Sequence, residues 1–580
     1  MPDQQRSALT PEGRATHLDR LRGATADSPL DVLVVGGGVN GAGAAFDAAT
    51  RGLSVGLVES HDWASGTSSR SSKLMHGGLR YLQMLDFKLV AEALRERDLL
   101  LEHTAPHLVR PIKFVFPFFK KVIDRGFIGS GVMLYDAMQS VGRKRAVPFH
   151  RHLLHQKMLE VFPALDGEKA VGALEYYDAQ MDDARFVMML VRSAAQHDAA
   201  VANYTTVIDY LHEGERVIGA RVRDEESGEE FDVHARTTIL AGGVWTQEQQ
   251  ELAGAGAGLE VLASKGIHIS VARDRIPAVP DTGIITQTEK SVLFIIPWDE
   301  YWVIGTTDTP WTQDPRAVGA TSDDIDYVLE HANAVLKDDL TREDVIGVYS
   351  GLRPLLQPVK KGGDKGSTKV SREHTVMEVE PGLSAIAGGK YTTYRVMAED
   401  VVDFALRDLE PERPSLTRSI PVIGAQGYGA LVRDKAEIGR RHGFDDVRVD
   451  RLLFRYGSLL SDVLSLIDAD PSLATPLEHA PRYLRAEVVY AVRAEGARHL
   501  ADVLERRTRL DYEVRDRGVA AADEIAALVG AELGWDEATR EGEVSTYREY
   551  IAARLAGETT RSDDEAAARI ATAAEVPGRR

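Results

Sequence analysis

The chain of 580 residues contains no cysteine. That excludes disulfides, thiolate nucleophiles, Cys-ligated zinc, iron–sulfur clusters and a cysteinyl flavin link, so any redox chemistry must use a bound organic cofactor or a metal site without thiolates. There is no stretch of about 18 or more apolar residues, the length a membrane-spanning helix needs. The opening MPDQQRSALTPEGRATHLDRLRGATADSPL also lacks the apolar core of a secretory signal. A cytoplasmic location is therefore expected, with a peripheral membrane contact left open. Positive charge is in deficit: the net charge of −20 argues against nucleic acid as a partner.

The glycines of residues 31–59, DVLVVGGGVNGAGAAFDAATRGLSVGLVE, are arranged for a ligand. An apolar run leads into Gly36, Gly38 and Gly41, which fit G-x-G-x-x-G. A helix of small residues follows, then a second strand ending on Glu59. The first glycine permits a tight strand-to-helix turn, the second lets backbone approach a pyrophosphate, and the third lets helix and strand pack closely. The helix N-terminus presents free N–H groups and partial positive charge to phosphates. Glu59 stands where an acidic side chain can accept ribose hydroxyls. The pattern predicts a dinucleotide site; by itself it does not separate FAD from NAD.

The length implies two or three domains. Residues 1–28 read as a poorly ordered segment. From 29 to 405 strands, glycine turns and helices alternate, which predicts an α/β body in which a Rossmann-like dinucleotide-binding domain and a sheet-based substrate domain are interleaved. Three further strand-plus-glycine segments lie at 237–247, 301–309 and 383–395, and 266–273 and 291–298 read as strands of a larger sheet. After a proline-containing connector, 425–556 reads as a C-terminal all-helical domain. Within it, YLRAEVVYAVRAEGARHLADVLERR reads as one helix with an apolar stripe through Leu484, Val488, Tyr490, Val492, Ala497, Leu500 and Val503. Residues 557–580 read as a mobile tail.

The acidity is uneven. Residues 110–157 hold ten Lys or Arg against Asp124 and Asp136, interleaved with Phe114, Phe116, Phe118, Phe119, Ile123 and Phe127. Such a mixture suits an anionic membrane surface, and equally a phenylalanine core with a solvated basic rim. His150, His152 and His155 cluster without sharing a helical face or having carboxylates nearby, and His103 and His107 are separated by Pro106, so no metal site is expected.

The segment after the first βαβ unit, TSSRSSKLMHGGLRYLQ at 67–83, is rich in small hydroxyls and glycine. Thr67, Ser68, Ser72, Gly77 and Gly78 make backbone that can lie against a flat ligand, and Arg80 and Tyr81 can present an anion-binding pair beyond it.

G-G-G-x-N-G-A-G followed by T-S-S-x-S-S-K-L-x-H-G-G-L-R-Y-L resembles the FAD-dependent, quinone-linked glycerol-3-phosphate dehydrogenases of bacteria and mitochondria. Further similar blocks are KGIHI (265–269), IGTTDT (304–309), GLRP (351–354), SREHT (371–375), GGKYTTYR (388–395) and EGARHLADVLERRTRL (495–510). They occur in consistent order over about residues 30–510. The resemblance implies an FAD enzyme that oxidises sn-glycerol 3-phosphate to dihydroxyacetone phosphate and passes electrons to a membrane quinone. It also implies a Rossmann-like FAD domain, a sheet-based substrate domain, a helical C-terminal domain and a homo-oligomer.

The resemblance places Arg80, Arg353, Arg372 and Lys390 at substrate-contacting positions, and a phosphomonoester with nearly two negative charges needs such fixed cations. His268 in KGIHI is the candidate base for the substrate's 2-hydroxyl, since a neutral imidazole suits proton removal near neutral pH. Arg353 is a poor base and is cast as an electrostatic or phosphate ligand, with Lys390 completing the catalytic set. Gly388, Gly389 and Lys390 lead into a helix whose N-terminus would face the charge on reduced flavin, and Gly242 would line the cofactor in the same way. Two other readings are a glycerol-3-phosphate oxidase that uses oxygen and a flavin-bound sensor without turnover; the apparent base and phosphate ligands disfavour the sensor.

Overall fold

The computed structural model describes residues 7–78, 87–119, 132–136, 146–254, 258–288, 292–357, 374–408 and 413–573. The β-branched run Leu30–Val35 forms the middle of a parallel sheet, with Val55–Val58 on one side and the C-terminal half of Glu230–Leu240 on the other. Ala200–Ala202 and Leu383–Gly388 extend it, and His374–Glu380 closes one edge antiparallel. Strands of such a sheet are covered on both faces, which is why they read as continuous apolar runs. One cover is the helix Val39–Thr50, whose Gly41, Ala44, Ala45 and Ala48 are buried.

The second sheet has ten strands and is mostly antiparallel. One of its two longest members, Glu260–Ala272, pairs with the other, Val345–Gln357, and with Tyr301–Gly305 and Thr309–Trp311. The sheet continues through Val292–Trp298, Thr282–Gln287, Val109–Phe118 and Gly172–Met181 to Leu74–Met75. Leu74–Met75 lies within the hydroxyl-rich segment, so that segment passes from one sheet to the other. Phe114, Phe116 and Phe118 are buried in this sheet, which gives them the core role of the two weighed for the basic stretch. Lys120, Lys121 and Phe127 lie outside the described residues. His150, read as lacking a nearby carboxylate, has Asp136 Oδ2 at 2.6 Å from its Nδ1: the turn of the chain brings together two residues that sequence distance had separated.

Three expectations are corrected. The segment 1–28 contains an ordered helix, Pro11–Arg22, capped by Thr10 and burying Leu18 and Leu21 under the parallel sheet. Its Arg14 pairs with Asp224 at 2.6 Å, so both apolar and ionic contacts tie down a stretch that reads as polar. The tail also carries a helix, Asp563–Ala571, whose Ile570 is buried. The single long helix at 483–507 does not exist. Arg485–Glu495 ends where Gly496 adopts φ +66°, a short link follows, and a π-helical turn runs over Asp502–Thr508. A left-handed glycine closes a helix at no steric cost. The C-terminal region also contains a two-stranded hairpin, Pro476–Leu477 with Ala480–Leu484, among its helices.

That break aims arginines into the α/β body. Arg507 donates to Asp62 Oδ1 at 2.8 Å, with Arg506 on the same carboxylate. Arg509 reaches Asp182 and, at 3.0 Å, Asp183. In return, Arg70 from the hydroxyl-rich segment pairs with Glu505 at 2.6 Å and Asp511 at 3.0 Å. All of these groups are buried or nearly so. Pairs of this kind are strongly destabilising to break, because the surviving charge is left without a partner.

Candidate active site

Between the two sheets lies a cavity of about 460 Å³, within the range of cofactor and ligand pockets. Backbone makes one end of it. Gly36 sits at φ +110°, and a Cβ there would fall 2.6 Å from the Ala241 carbonyl oxygen. A Cβ on Gly41 would lie 1.8 Å from the Gly36 oxygen, so the third glycine is needed for packing and does not itself line the cavity. Gly38 is the N-cap of Val39–Thr50, has no side-chain cap, and lines the cavity. Ser68 Oγ accepts from Val39 N at 2.9 Å.

Glu59 lines the same end. Its carboxylate accepts from Gly37 N at 2.5 Å and His61 N at 2.9 Å, which fixes its orientation. Burial pushes its pKa up, against the pull of those N–H groups. The residues suit a dinucleotide on two counts. Asn40 Oδ1 is buried at the helix N-terminus without a hydrogen-bond partner, and the backbone of Gly242 and Gly243 lies open to the cavity, where a Cβ on Gly243 would meet nothing within 4 Å.

The wall continues through Thr67, Ser68 and Ser72 on one side and Gly388, Gly389 and Lys390 on the other. Gly78 also lines it. Gly77 does not: its N–H is turned away to Asp178 Oδ1 and the Tyr135 hydroxyl, both at 3.1 Å, so it supports the wall from behind instead of contacting a cofactor. Arg80, Tyr81 and Arg372 lie outside the described residues.

Side chains make the other end. His268 and Arg353 come from neighbouring antiparallel strands, with His268 Nε2 2.8 Å from Ser72 Oγ. The Arg353 guanidinium is held by Thr306 Oγ1 at 2.9 Å, the Thr307 carbonyl at 3.1 Å and Asp308 Oδ1 at 3.2 Å. Both side chains pass over glycine: a Cβ on Gly266 would lie 2.4 Å from Arg353, and one on Gly305 would lie 2.3 Å from the His268 ring. Burial, then the charges of Arg353 and Lys73, hold the His268 pKa well below the usual histidine value, so its imidazole is neutral. Lys73 is wholly buried. Its ammonium donates to Asp183 at 2.8 Å and to the Ser69 carbonyl at 2.8 Å, and burial draws its pKa down to about 8.

The structure thus brings His268, Arg353, Lys390 and Ser72 into one cavity with the glycine cradle. Sequence reading missed Thr306 and Asp308, which orient Arg353, and Lys73, which anchors the hydroxyl-rich segment. A signal for the first two was present: glycines stand beside both chemistry-bearing stretches, KGIHI and IGTTDT, where large side chains need room to cross a strand. Nothing local marked Lys73, whose partner Asp183 is 110 residues away.

An FAD-dependent oxidoreductase is the class that this two-sheet fold and cavity define. A family model described as FAD dependent oxidoreductase matches residues 31–395, and one described as the C-terminal domain of alpha-glycerophosphate oxidase matches residues 415–540. Glycerol-3-phosphate dehydrogenase 2 of Mycobacterium tuberculosis is 47% identical over 98% of this chain and 95% of its own. The mitochondrial glycerol-3-phosphate dehydrogenase of Bos taurus is 36% identical over 90% of this chain and 73% of its own. Among solved structures, the glycerol-3-phosphate dehydrogenase of Bacillus halodurans complexed with FAD superposes with a TM-score of 0.75 at 28% identity, covering 94% of this chain and 98% of that one. The chain belongs to the FAD-dependent glycerol-3-phosphate dehydrogenase family.

Proposed function

We infer that this enzyme oxidises sn-glycerol 3-phosphate to dihydroxyacetone phosphate and that its electrons leave to a membrane quinone. The observation that carries the reading is the pairing, at one end of a glycine-cradled cavity, of a neutral buried imidazole with a rigidly held guanidinium. Bound FAD would supply the hydride acceptor. His268 takes the proton of the 2-hydroxyl, a role that is typically worth about 10²–10⁴-fold. Arg353 and Lys390 offset the charge of the phosphate and of the developing alkoxide, and Arg80, Tyr81 and Arg372 are assigned to the same anion. Arg353 is suited to this because oxygens on three consecutive residues fix its fork before the substrate binds. The names of the relatives support the substrate.

Peripheral attachment at the cytoplasmic face of the membrane completes the proposal. It is supported by the basic composition of 110–157 and by the exposure of Met133, Leu134 and Leu154 within it. The test is to add glycerol 3-phosphate to the FAD-loaded protein without oxygen and follow the flavin bands. Bleaching supports the reading, and an FAD-loaded protein that stays oxidised overturns it. Reoxidation by a quinone analogue in preference to oxygen then separates dehydrogenase from oxidase. Replacing Lys120 and Lys121 with Glu is expected to reduce binding to anionic liposomes; unchanged binding overturns the membrane contact.

A further inference from the structure

A second ring beside the base has no role in the chemistry described so far. Tyr349 lies on Val345–Gln357 opposite His268 on Glu260–Ala272, and the two are register partners. Their rings are stacked, with centroids 4.8 Å apart and planes 11° from parallel. The Tyr349 hydroxyl donates to the Ser71 carbonyl at 2.9 Å. The next residue, Ser72, carries the hydroxyl that meets His268 Nε2. One fully buried tyrosine therefore touches the face of the imidazole and also the segment presenting that ring's hydrogen-bond partner.

The stack continues into the C-terminal domain. The Tyr512 ring lies 4.8 Å from that of Tyr349, and the Tyr512 carbonyl accepts from Ser270 Oγ, two residues along the strand from His268. The Lys73 ammonium sits 4.8 Å from the Tyr349 centroid and 5.5 Å from that of Tyr512.

We propose that Tyr349 is a positioning residue for His268: its ring holds the plane of the imidazole, and its hydroxyl holds Ser72 against Nε2. Rotation of an imidazole about its Cβ–Cγ bond is a broad, soft torsion, and a single hydrogen bond fixes only one atom of the ring. A parallel neighbour removes the remaining freedom. Orientation of this kind matters because a base acts only within hydrogen-bond reach and correct aim of the proton it removes. Tyr349 does not itself take the proton, since burial raises its own pKa well above the usual tyrosine value. The cations that act on the imidazole are Arg353, on the same strand as Tyr349, and Lys73 from the hydroxyl-rich segment.

The inference rests on the reading of His268 as base, and the test keeps the two apart. Tyr349→Phe retains the ring and removes the bond to Ser71; Tyr349→Leu removes both. In each FAD-loaded variant, anaerobic flavin reduction by glycerol 3-phosphate is followed as a function of pH. The ¹⁵N signal of His268 is recorded on histidine-labelled enzyme without substrate and assigned by its loss in His268→Gln. The leucine variant is expected to reduce flavin about tenfold or more slowly, with KM near wild type. Its His268 signal should move toward tautomer averaging. The phenylalanine variant should fall between, and it decides the question if the leucine variant fails to load FAD. A wild-type rate with an unmoved nitrogen signal, or a raised KM at an unchanged rate, overturns the proposal. Wild-type flavin reduction in His268→Gln would instead overturn the base reading, while the nitrogen signal would still report whether Tyr349 orients the ring.

Discussion

The two ends of the cavity are made of different materials. The cradle formed by Gly36, Gly38 and Gly41 is backbone from one continuous stretch, shaped by what those residues lack. The end assigned to catalysis is made of side chains from widely separated segments: Ser72, His268, Thr306, Arg353 and Lys390. A backbone cradle tolerates almost no change, because the strand, turn and helix that form it also make the core. The catalytic end depends on orientation, supplied by Asp308 and Thr306 for Arg353 and by the ion pairs that fasten the C-terminal domain to the hydroxyl-rich segment. Loss of function should therefore take different forms: at the cradle the cofactor is lost, and at the catalytic end the rate is lost with the cofactor still held.

The sharpest break in that contrast would come from Gly41→Val. The new side chain has no room against the Gly36 carbonyl, so the variant is expected to purify without flavin absorbance; an FAD-loaded, active variant would show that the cradle tolerates what its geometry forbids. His268→Ala should keep its FAD and reduce it about 10²–10⁴-fold more slowly in stopped flow. Asp62→Ala leaves the Arg506 and Arg507 charges buried and is expected to lower stability by about 3–5 kcal/mol in denaturant titration of the FAD-loaded enzyme; stability within error of wild type would remove the ion pairs as the fastening between domains. Arg353→Ala loses a charge-assisted contact of about 1.5–3 kcal/mol. It should raise KM for glycerol 3-phosphate more than it slows flavin reduction at saturation.

The smallest expected effect is one of pH. The pKa of His268 is lowered in the folded protein, so its imidazole, the proposed base, stays free of its proton as pH falls through the ordinary histidine range near 6.5. Flavin reduction at saturating substrate should then stay flat through that range and not fall with a limb centred there. Folding stability follows the same sign. His107 is buried with its pKa lowered to about 3, so its contribution is complete above 6.5 and is lost progressively as acid protonates the unfolded chain. Urea midpoints that rise on acidification through that range would contradict this.

Much of the cradle was legible in the sequence, because its parts are local. A β-branched run, a glycine turn, a small-residue helix and a terminal acid each announce themselves within a few residues. The catalytic end was legible only through resemblance: a lone histidine on a strand is ordinary, and nothing near His268 names Ser72 or Tyr349 as its neighbours. The C-terminal domain was read least well. Its EGARHLADVLERRTRL stretch carries apolar residues at helical spacing, and that periodicity masked Gly496, where the helix ends and the arginines turn inward. The polar N-terminal segment was misread for a related reason. Leu18 and Leu21 are too few to mark an amphipathic helix, yet they are enough to seat one on a sheet that already exists.

The sequence by itself determined the cofactor class, the α/β body and the residue types available for chemistry, because backbone turns, strand periodicity and the absence of cysteine act over short range or over the whole composition. Tertiary structure alone decided which glycines face the cavity and which, like Gly41 and Gly77, stand behind it. It decided that Glu59 is held by backbone N–H groups, and that an aspartate at position 183 clamps a lysine at 73 and an arginine at 509. Those choices depend on distances between segments far apart in the chain, and no local pattern records them.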